Sequence, residues 1–103
     1  MALRLASQLA SFDRRARVTL DGVVPVDDSR LQELIGDGAA ATLGLEAELV
    51  RLERRRQAVL PRAGRSDAAA RQALELGEDG RGLRSDLAGA RGLLVALMRR
   101  NCG

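Results

Sequence analysis

Leucine and alanine recur along most of this chain at alternating steps of four and three residues, the spacing that keeps side chains on one face of an α-helix. Near the N-terminus, the residues that follow this rule are Leu5, Leu9, Phe12 and Ala16. The charged residues between them fall on other sides of the helical turn. The pattern predicts an amphipathic helix over about residues 2–20.

A longer series begins at Leu31 and repeats at positions 31, 35, 38, 42, 45, 49, 52, 56 and 59. Leucine is its most frequent occupant, and Gly38, Thr42 and Arg56 are its weaker members. A heptad series of this length predicts a helix over about residues 30–60 that packs along another helix. Ser29 and Gln32 have the spacing of a capping box, which predicts the start of this helix.

A third series predicts a helix over about residues 67–100. Its members are Ala73, Leu76, Gly80, Leu83, Leu87, Ala90, Leu94 and Leu97. Five glycines lie in the same region, at positions 77, 80, 82, 89 and 92, and each costs a helix up to about 1 kcal/mol relative to alanine. Because no strand pattern precedes them, they do not form a phosphate-binding loop. We therefore predict a helix that is marginal alone and is ordered by packing.

The first interruption lies between residues 20 and 29, where Asp21-Gly22 and Pro25 break the helical pattern. A β-hairpin is an alternative here, because Asp-Gly suits a tight turn between β-branched residues. An isolated hairpin is only marginally stable, however, and Pro25 opposes strand pairing. We interpret this stretch as a connector.

The second interruption is the segment PRAGRSD, residues 61–67. Pro61 disfavours helical geometry at Leu60, and Ser66 or Asp67 can cap the helix that follows. The chain is therefore expected to turn back on itself. Together these elements predict one all-α domain over residues 1–103, folded as an elongated antiparallel helical hairpin or a three-helix bundle with coiled-coil-like seams.

Composition narrows the chemistry that this domain can perform. The chain has no histidine, and its single cysteine is Cys102, so hydrolytic triads and zinc sites lack their usual residues. We expect no enzymatic activity and no cofactor or metal. No run reaches the roughly 18 apolar residues of a membrane span, and one cysteine is typical of a reducing compartment. These features favour a cytoplasmic protein.

The positive charge is supplied by arginine alone, with 17 arginines against 14 carboxylates. Two clusters stand out, Arg14-Arg15 with Arg17 and Arg54-Arg55-Arg56. They could contact phosphate, but carboxylates are interspersed and no aromatic residue is available for base stacking. Solvated helix faces, with Glu48–Arg51 and Glu53–Arg56 as neighbours three residues apart, are the favoured interpretation. Nucleic acid is therefore not the expected partner.

The order of these segments resembles that of FlgN-type export chaperones of the bacterial flagellum. The sequence Leu20-Asp21-Gly22 is similar to the short interruption of that family. Residues 30–60 resemble its long leucine-rich helix, and residues 83–97, LRSDLAGARGLLVAL, resemble its last helix.

The resemblance implies a cytoplasmic protein that binds a hook-associated flagellar subunit and prevents its premature assembly. An amphipathic terminal segment of the subunit would lie in a groove between helices. The candidate groove residues are Leu83, Leu87, Ala90, Leu94 and Leu97. The same residues could instead form the core of a bundle. A self-assembling coiled-coil subunit, with a homodimer as its simplest form, remains an alternative function, and a small basic nucleic-acid-binding protein is a less favoured one.

Overall fold

The structure is a computed structural model that describes residues 3–22 and 25–102. The described residues form three α-helices, α1 (Leu3–Asp21), α2 (Asp28–Ala63) and α3 (Asp67–Cys102), and contain no strand. The predicted all-α fold is therefore confirmed. Each of the two long helices has 36 residues and spans about 54 Å at about 1.5 Å per residue. The molecule is correspondingly elongated, with extents of 58 × 21 × 18 Å.

The two long helices form an antiparallel hairpin. Arg91 on α3 pairs with Glu46, and Arg84 pairs with Glu53 one heptad further along α2, at 3.6 Å. The buried side of α3 follows the predicted series closely, with Leu94 half-buried and the other members buried. α2 and α1 thus supply, within the same chain, the packing that we predicted for the glycine-containing helix.

The short helix α1 covers only the half of the hairpin that lies away from the α2–α3 turn. Leu5 packs at Gly44 of α2, and Phe12 packs at Gly38, so α1 runs antiparallel to α2. At the other end of α1, the Arg100 guanidinium donates a hydrogen bond of 2.8 Å to the Thr19 carbonyl oxygen. The same carbonyl oxygen also accepts from the Gly22 N–H at 3.2 Å, so Arg100 adds a second donor at the end of α1.

A change of residue type along α2 marks where α1 ends. Leu34 and Ala41 lie seven residues apart on the face toward α1, and both are buried. The next two positions at the same spacing are Glu48, which is half-buried, and Arg55, which is exposed. The face of α2 that receives α1 is therefore apolar for half its length and charged for the rest.

Two details of the helix boundaries correct the predictions. The capping box at Ser29 and Gln32 is wrong, because the helix begins two residues earlier, at Asp28, and Asp27 accepts a hydrogen bond of 2.8 Å from the Arg30 backbone N–H. Asp27 precedes the first turn and so reaches a free N–H that a residue inside the turn cannot. Ser66 does cap α3, as predicted, with its hydroxyl accepting from the Ala69 N–H at 3.3 Å.

The predicted helix break before Pro61 is also wrong. α2 continues through Leu60 and Pro61 to Ala63, and Gly64 follows in ordinary right-handed geometry. A proline in the last turn removes one hydrogen bond, whereas burial of Val59 against α3 holds the preceding turn in place. The helix therefore tolerates Pro61 and ends one turn later.

The connector between α1 and α2 is only partly described, since Val23 and Val24 lie outside the described residues. Gly22 adopts a φ of 70° after the last turn of α1, and its N–H donates to the Thr19 carbonyl oxygen. This left-handed geometry ends the helix, as is typical of glycine. Because residues 18–20 belong to α1, the β-hairpin alternative is wrong for its first strand.

The packing of α1 on α2 generates a prediction for Gly38. A Cβ at this position would overlap the ring of Phe12, which is only 1% exposed and cannot move aside. Gly38→Ala should therefore lower the free energy of unfolding by roughly 1–3 kcal/mol, as measured by urea denaturation. In the matched control, Gly36→Ala, the new Cβ meets nothing within 4 Å and should raise stability by up to about 1 kcal/mol. Equal effects of the two changes would contradict this account of the packing.

Candidate partner-binding cleft

The five predicted partner-binding residues lie along α3 and mostly face the inside of the molecule. Leu83, Leu87, Ala90 and Leu97 are each at most 5% exposed, and Leu94 is half-buried. The chain's own helices cover them in this conformation. Two of the five also line open space beside α3: Ala90 lines the larger cleft, and Leu83 lines a smaller one further along the helix.

The larger cleft lies between α1 and α3 and has a volume of about 430 Å³. We call it the α1–α3 cleft. Its lining residues are Ala6, Leu9, Ala10, Phe12, Asp13 and Arg17 of α1 and Ser85, Asp86, Gly89, Ala90 and Leu93 of α3. Most of these side chains are apolar or small, so the cleft offers a surface suited to a nonpolar ligand.

The shape of the cleft follows from how α1 is held. Gly38 and Gly44 allow Phe12 and Leu5 to approach the backbone of α2 closely. On the α3 side, by contrast, a Cβ added at Gly89 would meet no atom within 4 Å. α1 therefore packs tightly on α2 and leaves space beside α3.

A second, smaller cleft lies next to the first along the same face of α3. Asp86 lines both parts. The smaller part, which we call the acidic end, has a volume of about 280 Å³ and is lined by Leu52, Glu78, Asp79, Gly82, Leu83 and Asp86. Its charged lining residues are all carboxylates.

Ion pairing distinguishes these carboxylates from the other charges nearby. Within the described part of the chain, Glu78, Asp79 and Asp86 have no cationic group within 4.0 Å. Asp13 on the α1 wall is hydrogen-bonded to Arg17 at 3.0 Å, and this bond raises the pKa of Arg17. The charges on the α1 wall thus neutralise each other, whereas those of the acidic end do not.

Arg51 and Glu48 precede Leu52 on α2 and form an ion pair of 2.7 Å. The hydrogen bond from Arg51 lowers the pKa of Glu48, so this carboxylate stays ionised and keeps its partner engaged. This pair, predicted from its three-residue spacing, leaves Arg51 partly neutralised.

The two arginine clusters do not form continuous cationic surfaces. Arg15 pairs with Asp37 of α2 at 2.9 Å, and Arg56 pairs with Glu53 at 3.3 Å, as its spacing predicts. Arg54 and Arg55 are exposed, but Arg56 is half-buried on another side of α2. Nearby carboxylates therefore neutralise part of the positive charge of each cluster.

Sequence reasoning missed Asp86, Gly89 and Leu93 as cleft residues. They lie beside the buried series of α3, and Leu93 follows Asp86 by seven residues, the same face repeat as Leu34 and Ala41 on α2. Leu93 is the only one of the three with an apolar side chain, because Asp86 is charged and Gly89 has no side chain. The sequence therefore carries only a weak signal for this side of α3.

The fold and the cleft define an all-α protein in which a short helix docks on part of a long helical hairpin. Comparison with protein-family models, curated proteins and solved structures found no match to the chain. Within the described residues, no helix is long and apolar enough to cross a membrane.

The burial of Leu87 separates core residues from cleft residues in a testable way. Leu87→Ala should lower the free energy of unfolding by about 2–5 kcal/mol, because it leaves a void in the seam between α2 and α3. Leu93→Ala, in the half-buried wall of the cleft, should cost only about 1 kcal/mol. Chemical denaturation monitored by circular dichroism measures both. Equal losses would show that the cleft wall is packed as tightly as the core.

Proposed function

We propose that the protein is a non-enzymatic cytoplasmic chaperone of the FlgN type, which binds an amphipathic terminal segment of a flagellar hook-associated protein. The segment would occupy the α1–α3 cleft as a helix. The protein would thereby cover an apolar stripe that would otherwise associate with other subunits before export.

The observation that carries this proposal is the open space between α1 and α3. Leu9 and Leu93 are half-buried on its two walls, and Gly89 leaves room between them. A third helix placed there would contact both walls, the arrangement in which an amphipathic helix lays its apolar face in a groove. The resemblance of the three segments to the chaperone family supports the identity of the ligand.

Ala90 connects the cleft with the site predicted from the sequence. Its side chain lies between the seam and the cleft, so a bound helix could rest on it while α2 and α3 stay together. Leu87 and Leu97 would then support the cleft from behind, and Leu83 would line its acidic end. In this mechanism no leucine of the α2–α3 seam has to be exposed for binding.

A self-assembling structural subunit is the second candidate function. Leu43 and Val50 lie seven residues apart on the outer face of α2 and are 65% and 49% exposed. Such a row could pair with a second copy, since seven-residue apolar repeats associate in coiled coils. Light scattering after size exclusion distinguishes the two: a defined oligomer that Leu43→Glu dissociates would favour self-assembly.

Cargo binding is best tested with a change that fills the cleft and leaves the seam intact. Gly89→Trp should abolish co-purification of the co-expressed terminal segment of a hook-associated protein, because the indole would occupy the space for the ligand. The control is Gly92→Trp, on the same helix, where an added Cβ also meets nothing within 4 Å but the residue lies outside the cleft. This control should retain the complex.

Circular dichroism should show that both tryptophan variants remain helical. Failure of the unmodified protein to retain any such segment would reject the chaperone function. Equal retention by the two variants would move the binding site away from the α1–α3 cleft.

A further inference from the structure

We propose that the segment bound in the α1–α3 cleft is a cationic amphipathic helix, whose arginine or lysine side chains lie against the acidic end. This inference rests on the proposed function and adds the charge and the position of the ligand. It follows from the position of the two parts of the cleft next to each other along α3, and from the carboxylates of the acidic end, which form no ion pair.

The distance that the two parts of the cleft span along α3 indicates the length of the ligand. The cleft extends along α3 from Leu93 to Glu78, and Asp86 belongs to both of its parts. The 15 steps between these two residues rise by about 22 Å at about 1.5 Å per residue. A bound helix of about four turns would therefore fill the apolar part beside α1 and reach the acidic end with the turns at one of its ends.

The charged side chains that line the acidic end indicate the charge of the ligand. The whole chain carries a formal charge of +3, yet the charged residues that line the acidic end are Glu78, Asp79 and Asp86. No ion pair in the described part of the chain satisfies them. A helix with acidic residues at this end would be repelled, whereas basic residues would gain charge-assisted hydrogen bonds.

The apolar part supplies the remaining contacts and keeps the site from being a simple cation site. No group of three or more His, Cys, Asp or Glu side chains among the described residues is arranged to hold a metal ion. Leu52 and Leu83 lie beneath the carboxylates. A long arginine or lysine side chain fits this combination, since its methylene stem packs on leucine while its charged end reaches a carboxylate.

The probe for this proposal is a pair of fluorescently labelled 18-residue amphipathic helical peptides with the same leucine and alanine face. One peptide carries three arginines in its last two turns, and its counterpart carries three glutamates there. Fluorescence anisotropy with the full-length protein should show tighter binding of the arginine peptide. The difference should shrink between 50 mM and 500 mM salt, because exposed charges are screened.

Neutralising the carboxylates tests whether these residues recognise the charge of the peptide. Asp79→Asn and Asp86→Asn should each weaken binding of the arginine peptide by about two- to fivefold, the range expected for a partly exposed ion pair. Glu33→Gln, an exposed carboxylate of α2 outside this cleft, is the matched control and should change nothing.

The outcomes separate this proposal from the proposed function. If both peptides bind equally and Gly89→Trp abolishes both, the cleft binds helices without regard to charge and the inference is overturned alone. The inference is also overturned if Asp79→Asn and Asp86→Asn both leave the preference for the arginine peptide unchanged, because other residues then recognise its charge. If neither peptide binds, the cleft is not a site for amphipathic helices, and the proposed function is rejected together with the inference.

Discussion

The contact of the Phe12 ring with the backbone of α2 at Gly38 determines the arrangement of the three helices. Phe12 is the only aromatic residue of the chain, and it is fully enclosed. The glycine lets the ring lie where a side chain of α2 would otherwise stand, and Leu94 of α3 approaches the same point, 3.2 Å from the ideal Cβ position. All three helices therefore meet at one residue that has no side chain, and the tight side of α1 is the side toward α2.

The open cleft is a consequence of this asymmetry. A helix that is drawn onto one neighbour cannot pack equally well on the other unless side chains fill the difference. On α3 the residues that line the cleft are Ser85, Asp86, Gly89, Ala90 and Leu93, of which only Leu93 has a large apolar side chain. α1 is also short and does not cover this side of the hairpin along its whole length. The part that it leaves uncovered is charged, as Glu48 and Arg55 show on α2. The cleft and its acidic end are thus two parts of one face, apolar where α1 is present and ionic beyond it.

The sequence predicts the fold well because the information lies in a simple period. Seven-residue repeats on α2 and α3 identify the seam, and Gly22 and Pro25 mark the interruption between α1 and α2. Errors arose where one residue competes with its surroundings: Asp27 replaces Ser29 as the cap because it stands outside the first turn, and Pro61 is held in helical geometry by the packing of Val59. The predicted site residues were taken from the strongest leucines, which are also the residues that a chain buries first. The strength of the pattern therefore identified the core, whereas the cleft depends on weaker signals.

The glycines of α3 illustrate why those signals are weak. Gly80 lies in the seam, where an added Cβ would be 3.5 Å from Leu52, an ordinary packing distance. Gly82 and Gly89 line the two parts of the cleft, and no atom lies within 4 Å of the Cβ that either position lacks. Alanine at these two positions would fit and would favour the helix by up to about 1 kcal/mol each. The chain forgoes this stability, and the local effect is a wider cleft. Glycine at these two positions leaves the cleft wider than alanine would, and the exposed Gly92 of the same helix, which lies outside the cleft, provides the comparison against which that effect can be measured.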